Sequence, residues 1–445
     1  MDLPILSHSQ VLRLKVGIIA LLGGALAFVG RDVLDSRVRA VIGIGVFILC
    51  LVTCSANPKI IRWRTVLWGG VLQVGLAFFV LKFSVFGIRP GYVVVSSLAT
   101  AATRFLEFSS VGAKFVFGVL ADPIQMSESF PDGFVLAFAA LPIVVFVSSF
   151  FTLLYHVGLL QLIVRLISRV MMPLMGTSGA ETLSAASNVF MGQTEAPIIV
   201  RPYIAGMTQS ELLAVMVGGL STVAGSVFAI YVGLGADPVA MLTTSVMAAP
   251  CGLYVAKILY PETEEPVTSG HDGIQVARQH SNVIDAISSG AADGTRLAIN
   301  VAGMLIAFLA FIAMVDFILD ILWSGLSLAG MFSVVFAPVA VLMGVPVGDI
   351  YIVADLLGTK LATNEFVAYI KLGGEYREII SERGHFLATF ALTGFANFGS
   401  IGILLGGIGG MAPGRRGDLG NLSMRALLGG FVATLINASI AAILL

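Results

Sequence analysis

Two glutamates sit where a chain this apolar has little reason to place a charge. Glu195 lies in Gly192-Gln193-Thr194-Glu195-Ala196-Pro197, with Asn188 upstream and Arg201 downstream; Glu365 lies in Thr363-Asn364-Glu365-Phe366, with Lys360 upstream. An unpaired carboxylate inside a bilayer costs several kcal/mol, starting at about 2.5 on insertion scales, so it persists where water, a cation or a polar ligand receives it. A glycine and a proline flanking the first polar run open the helix there, and the freed carbonyls and amides must find partners. Such carbonyls, joined by an asparagine side-chain oxygen, make a hard-cation site, since sodium shares calcium's preference for oxygen ligands. At the second run, a carboxylate facing a cavity can accept two hydrogen bonds from adjacent hydroxyls, the arrangement a cis-diol offers. Asn397 and Ser400, three apart on one helix face, add further polar contacts. Plainer readings compete: Glu195 can form a structural ion pair with Arg201, and Asn397 and Ser400 can serve interhelical hydrogen bonding at a small-residue face.

Each polar run precedes an apolar stretch that is weakened in its middle. After the first comes Ser221-Thr222-Val223-Ala224-Gly225-Ser226, and after the second Phe395-Ala396-Asn397-Phe398-Gly399-Ser400. An acid-bearing tip followed by an interrupted helix thus occurs twice, the pattern of secondary transporters built from inverted repeats, which bind at the midplane with broken helices. No catalytic constellation competes, because the histidines are scattered and the HExxH and GxSxG patterns are absent. Cys50, Cys54 and Cys251 lie within or at the ends of apolar segments and read as buried free thiols. The glycine-rich run Gly402–Gly410 reads as close helix packing rather than as a nucleotide loop.

The elements that must carry these residues follow from composition. Of 445 residues, 57% are hydrophobic and only 11% charged, against roughly 25% charged in a soluble domain; mean hydropathy is +0.97. Stretches free of charge and long enough to cross a membrane include Ala40–Pro58, Gly133–Val164, Leu212–Ala236, Leu297–Val315, Ile321–Gly348, Phe386–Gly414 and Ala426–Leu445. Val11–Gly30, Thr65–Phe86 and Val239–Ala256 join them on a looser reading, and Val11–Gly30 lacks a cleavage site, so it is expected to be retained as a helix. Continuous apolar runs exclude a β-barrel. Tyr92–Leu120, with Arg104, Glu107 and Lys114, suits a helix lying along the interface, and Pro261–Asp293 reads as an extramembrane connection. A net charge of −1 without a basic tract gives no argument for nucleic acid. Basic residues gather at Arg13/Lys15, at Lys59/Arg62/Arg64 and at Arg415/Arg416, which places the N-terminus inside if all three are cytoplasmic; the loop Arg31–Arg39, with three arginines of its own, is the exception.

With these motifs in hand, the sequence resembles the concentrative nucleoside transporter family from about Val41 to the C-terminus. The likeness is carried by Asn188-Val189-Phe190-Met191-Gly192-Gln193-Thr194-Glu195-Ala196-Pro197, by Asn364-Glu365-Phe366-Val367-Ala368-Tyr369 and by Phe395-Ala396-Asn397-Phe398-Gly399-Ser400. It implies an all-α polytopic membrane protein with inverted repeats, two re-entrant helical hairpins, two broken transmembrane helices and interfacial helices, assembled as a homotrimer. It also implies that Gln193, Thr194 and Glu195 face a nucleobase with Val227 beside it. Glu365, Asn397 and Ser400 would hold the ribose, and Phe395 and Leu297 would supply apolar walls. Sodium would be held by the side chains of Asn188 and Thr222 and the carbonyls of Met191 and Val223. Many sodium-coupled members have serine at the position of Thr222, which keeps the hydroxyl, and Asn188 favours sodium over protons. The expected function is import of uridine and other pyrimidine nucleosides, with purine nucleosides as further candidates, coupled to sodium by alternating access; a proton-coupled symporter is the alternative. The expected setting is the inner (cytoplasmic) membrane, multi-pass, with nucleoside and lipid as partners, no nucleic acid and no organic cofactor.

The expected organisation has six parts. Residues 1–37 form an extra N-terminal helix, 38–130 the scaffold helices and interfacial helix, and 131–260 a first repeat with its hairpin around 177–203. Residues 261–293 form the polar connection, 294–420 a second repeat with its hairpin around 345–372, and 421–445 a C-terminal helix.

Overall fold

The computed structural model describes residues 8–122, 125–126, 135–139, 141–269 and 280–445; the regular structure among them is helical, apart from one isolated bridge between Val85 and Ile88. The centre of the expected polar connection, residues 270–279 with His271 and Asp272, lies outside the described residues.

The N-terminal region supplies α1 (His8–Val29), α2 (Ser36–Thr53), α3 (Trp63–Leu81) and α4 (Pro90–Phe117). Next come α5 (Leu141–Val157) and α6 (Leu159–Met175), which meet at a bend of 72°. The expected continuous span Gly133–Val164 is therefore interrupted. Its break falls at Gly158, whose φ of +92° is a left-handed conformation that only glycine adopts without steric cost. Beyond it Leu162, Leu166 and Val170 form an exposed apolar stripe at helical spacing while Leu160, Val164 and Met171 are buried. A helix amphipathic in this way suits the membrane interface, a role expected only of Tyr92–Leu120.

The first tip is built on α7 (Gly179–Ser187), followed by α8 (Gln209–Ser221), α9 (Gly225–Gly233) and α10 (Pro238–Leu259). The next helix, α11 (Val283–Leu322), has 40 residues, about 60 Å at 1.5 Å per residue and twice what a bilayer core requires. It begins inside the segment expected as the polar connection. Ile321–Gly348 is likewise not one span: α12 (Leu328–Val335) and α13 (Ala337–Leu342) are separate, because Pro338 has no N–H with which to continue α12. The second tip is built on α14 (Ile350–Ala362) and α15 (Glu365–Gly373), followed by α16 (Glu382–Leu392), α17 (Phe398–Met411) and α18 (Arg416–Leu444).

Among the described residues, five helices are long and apolar enough to cross a membrane, or six if α5 and α6 count as one bent span. Two of the five, α10 and α18, form the centre: 89% and 83% of their most apolar stretches are buried, against 11% for α1. Leu21, Leu22 and Val29 of α1 are exposed, as expected of a helix whose outer solvent is lipid. In the centre a polar knot closes on itself. Gln73 donates to Asn437 at 2.6 Å, Tyr254 donates to Gln73 at 2.8 Å, and Asn437 donates to the Thr244 hydroxyl at 3.1 Å, so α3, α10 and α18 are joined without an unpaired group.

The basic clusters sort by end of the molecule. Arg13 donates to the carbonyls of Ser55 and Ala56, Ala56 N–H bonds Leu259 O, and Arg415 donates to Ala205 O and Met207 O just before α8. Lys257 and Glu262 tie the end of α10 to the start of α8 through Ser210 and Thr208. Three basic clusters thus share one end. The exceptional loop lies at the other, where Arg37 bonds Leu445 O and Arg383 bonds Ser36 and Ala442 O.

Candidate functional site

Both tips exist because a helix stops early and polar residues follow its end. In the second, α14 ends at Ala362, Thr363 leaves the helix, and the Asn364 side chain caps α15 by accepting from Val367 N–H at 2.9 Å. Glu365 is thereby the first residue of α15, where the helix dipole favours a negative charge. Each oxygen of its carboxylate has one side-chain donor: the Tyr231 hydroxyl donates to Oε1 at 2.7 Å and Asn397 Nδ2 donates to Oε2 at 2.8 Å, which leaves further lone pairs for a ligand. Asn397 is not on a helix face with Ser400, as the spacing predicts. It is the N-cap of α17, its Oδ1 accepting from Ser400 N–H at 2.8 Å. The cap fixes the amide's orientation, so its N–H can only point at Glu365. Tyr231 is held in turn by stacking on Tyr369, ring centroids 4.5 Å apart.

The first tip is anchored at its base and open at its end. Ser178 and Glu181 form a capping box at the start of α7, Ser178 also donates to Glu211 at 2.5 Å, and buried Lys257 pairs with Glu181 at 2.7 Å. At the other end Asn188 is fully buried, yet neither amide atom has a hydrogen-bond partner, and the same holds for Gln193 Oε1. Glu195 accepts from Gly192 N–H at 2.9 Å. Arg201 is exposed and forms no ion pair with it, so the structural-pair reading falls.

Breaks in two further helices bring the tips together. The chain leaves helix at Thr222, with φ −125° and ψ 169°, and resumes it at Gly225. It leaves again after Leu392 and resumes at Phe398. Gly225 N–H bonds Phe190 O of the first tip at 3.0 Å, and Phe395 N–H bonds Thr222 O at 3.3 Å, so tip and breaks are stitched by backbone. A Cβ on Gly218 would lie 2.8 Å from Asn188 Nδ2, so that glycine is what admits the tip.

Between tips and breaks lies a cavity of about 120 Å³. Gln193, Thr194, Glu195, Val227, Glu365, Phe395, Asn397 and Ser400 line it together. Leu297 belongs to α11, and its side chain is outside the described residues. Tyr231 also lines the cavity and was missed by sequence reasoning, although it stands one helical turn after Val227 and shares its face. A second cavity of about 430 Å³ opens behind the first tip, where Thr194 and Glu195 face Phe151, Tyr155 and Asp293.

The cation ligands fit in chemistry. Thr222 Oγ1 donates to Gly218 O at 3.0 Å, leaving its lone pairs free. Among the described residues the carbonyls of Met191 and Val223 accept no hydrogen bond, and no three His, Cys, Asp or Glu side chains converge on a metal position. Neutral amide, hydroxyl and carbonyl oxygens suit a monovalent hard cation held loosely enough to be released.

A helical membrane protein with two acid-bearing tips meeting two broken helices around one small cavity is a binding machine rather than a catalyst. Comparison with known proteins defines it further. Family models described as "Na+ dependent nucleoside transporter N-terminus", "Nucleoside recognition" and "Na+ dependent nucleoside transporter C-terminus" match residues 42–120, 137–238 and 240–442. An "uncharacterized transporter" of Haemophilus influenzae is 41% identical over 416 residues, covering 91% of this chain and 97% of that protein. Sodium/nucleoside cotransporter 1 of Sus scrofa is 42% identical over 422 residues, which are 90% of this chain but only 63% of that longer protein. The solved structure of CNTnw in an inward-facing substrate-bound state superimposes with a TM-score of 0.86 at 39% identity, covering 92% of this chain and 98% of that one. The chain belongs to the concentrative nucleoside transporter family, a family of transporters and not of enzymes.

Proposed function

We propose that this protein is a sodium-coupled nucleoside symporter that binds its substrate in the 120 Å³ cavity and carries it across the membrane by alternating access. The observation that carries the reading is the pair of states in one site: Glu365 held by Tyr231 and Asn397, and Asn188 buried with nothing to bind. A ribose cis-diol donates to the carboxylate's remaining lone pairs, with Asn397 and Ser400 beside it, while a nucleobase lies against Gln193, Thr194, Glu195 and Val227. Sodium completes Asn188, Thr222 and the Met191 and Val223 carbonyls and so orders the first tip. Ordering the tip shapes the base side of the cavity, and each ligand then tightens the other by the same coupling free energy. The relatives named for sodium/nucleoside cotransport support this coupling.

The tips are read as re-entrant hairpins of two inverted repeats, and the basic end as cytoplasmic by the positive-inside tendency; the inner-membrane setting and the homotrimer are what the family resemblance implies. Uridine and other pyrimidine nucleosides are the first substrates to try. Uridine uptake into proteoliposomes, under an inward sodium gradient with pH clamped equal on both sides, is expected to run above equilibrium. Accumulation that ignores sodium and follows an imposed pH gradient would transfer the reading to proton coupling.

A further inference from the structure

Beside the site lies a buried charge that the assembled cavity does not use. Lys360 is fully buried, in the last turn of α14, and its ammonium donates to Ala391 O at 2.7 Å and to the Thr434 hydroxyl at 3.2 Å, with the Phe431 ring centroid 5.6 Å away. Ala391 belongs to the last turn of α16, immediately before the second break. The last carbonyls of a helix have no intrahelical donor and carry the negative end of its dipole. A cation therefore sits at the carbonyl end of the helix that leads into the second break.

The first half has the same arrangement with the cation missing. There α8 ends at Ser221 just before the first break, and α7 ends beside it with Asn188 as its C-cap, as α14 ends with Thr363. Three residues before each C-cap stand Ala185 and Lys360. Ala185 lies against α8 near Gly218, its Cα 3.9 Å from where a Gly218 Cβ would be, and the neighbouring Asn188 amide has no partner. Where the second half places an ammonium, the first places a methyl group and an open amide. The acid on each tip then has a different source of positive charge: Glu365 has one five residues away in its own chain, and among the described residues no Lys, Arg or His forms an ion pair with Glu195.

We propose that the Lys360 ammonium is the second half's tethered equivalent of the coupling ion, occupying the helix end that the first half leaves for sodium, so that one sodium is coupled to each nucleoside. The inference rests on the sodium-symport reading and adds to it the count of ions and a positioning residue. A tethered charge cannot be exchanged, so the second half stays assembled throughout the cycle while the first half gains and loses its ion.

The test is the charge moved per uridine, measured in proteoliposomes from current and labelled uridine together, alongside the steepness of sodium activation. The wild-type protein is expected to move one charge per uridine with a Hill slope of one. Lys360→Arg, which keeps the charge, is expected to retain that slope with uptake reduced severalfold. Lys360→Gln is expected to raise the slope towards two, a second sodium replacing the lost ammonium, with the sodium concentration for half-maximal uptake rising at least tenfold. Two charges per uridine in the wild type would overturn the proposal even if Lys360→Gln did not fold, and so would a Lys360→Gln protein with wild-type slope and half-saturation. Uptake indifferent to sodium is a separate result: it removes the symport reading itself.

Discussion

The two tips are made of similar residues and are finished to different degrees. At the second, both carboxylate oxygens of Glu365 have a side-chain donor: Tyr231 and Asn397 donate to them, Asn397 is oriented by capping α17, and Asn364 caps α15. At the first, Asn188 and the Gln193 oxygen are buried without partners. Leaving a buried polar group unpaired costs about 1–3 kcal/mol, so the first tip is held in a form that a ligand improves. The fully paired knot of Gln73, Asn437 and Tyr254 shows that this chain can satisfy buried amides when nothing else needs them. A preorganised half and an incomplete half are what a coupled carrier requires, because only the incomplete half can respond to its ion.

The largest effect is expected from breaking the finished half. Glu365→Gln removes the charge and leaves a single acceptor oxygen for Asn397, with its NH2 turned to the Tyr231 hydroxyl. Hydrogen bonds to a charged group are worth about 1.5–3 kcal/mol each, and the carboxylate's bonds to substrate are lost with its charge. Uridine uptake should fall about 100-fold at any sodium concentration, in protein that still elutes as a folded assembly. Uptake within a few-fold of wild type would show that the finished half does not hold the sugar.

Breaking the open half should act on the ion instead. Asn188→Ala removes one neutral ligand and leaves the cavity-lining residues in place. The sodium concentration for half-maximal uptake is expected to rise by about 10- to 30-fold, about 1.4–2 kcal/mol, while uridine affinity at saturating sodium stays near wild type. A thermal-shift titration of sodium with and without uridine reads both. Loss of uridine binding at saturating sodium would mean that the two tips do not differ in the way described.

How much of this was legible in the sequence depended on whether the signal was local. Lipid as the main solvent followed from composition, and Glu195, Glu365 and the two weakened helices stood out because polar residues in apolar runs carry a cost. Breaks set by backbone conformation were harder: Gly158 splits an apolar run that reads as one span, and Pro338 divides another. Asn397 and Glu365 were expected around one site, but not the hydrogen bond between them, since capping depends on where α17 starts. Tyr231 was missed because a tyrosine in an apolar helix looks like core, and only its contact across the fold with Glu365 gives it a role. That role is testable apart from the carboxylate. Tyr231→Phe keeps the stack on Tyr369 and removes one charge-assisted hydrogen bond, so uridine KM should rise about tenfold with the sodium requirement unchanged.

The smallest effect should come from Thr222, the hydroxyl at the first break. Thr222 sits in extended conformation at the first break, fully buried, its hydroxyl turned back to Gly218 O at 3.0 Å. That bond uses the proton and aims the oxygen's lone pairs away from the α8 carbonyl, the orientation a cation ligand needs. Serine can make the same bond, so Thr222→Ser should change half-maximal sodium by no more than about twofold, the lost methyl costing only a small packing contribution. Thr222→Val keeps the shape and removes the oxygen, and should raise it about fivefold, less than Asn188→Ala because a backbone carbonyl or water can take the vacated position. The ordering is what separates the two residues. If Thr222→Val proved costlier than Asn188→Ala, the hydroxyl and not the unpartnered amide would be the principal ligand, and the incompleteness of the first tip would lie at the break rather than at its end.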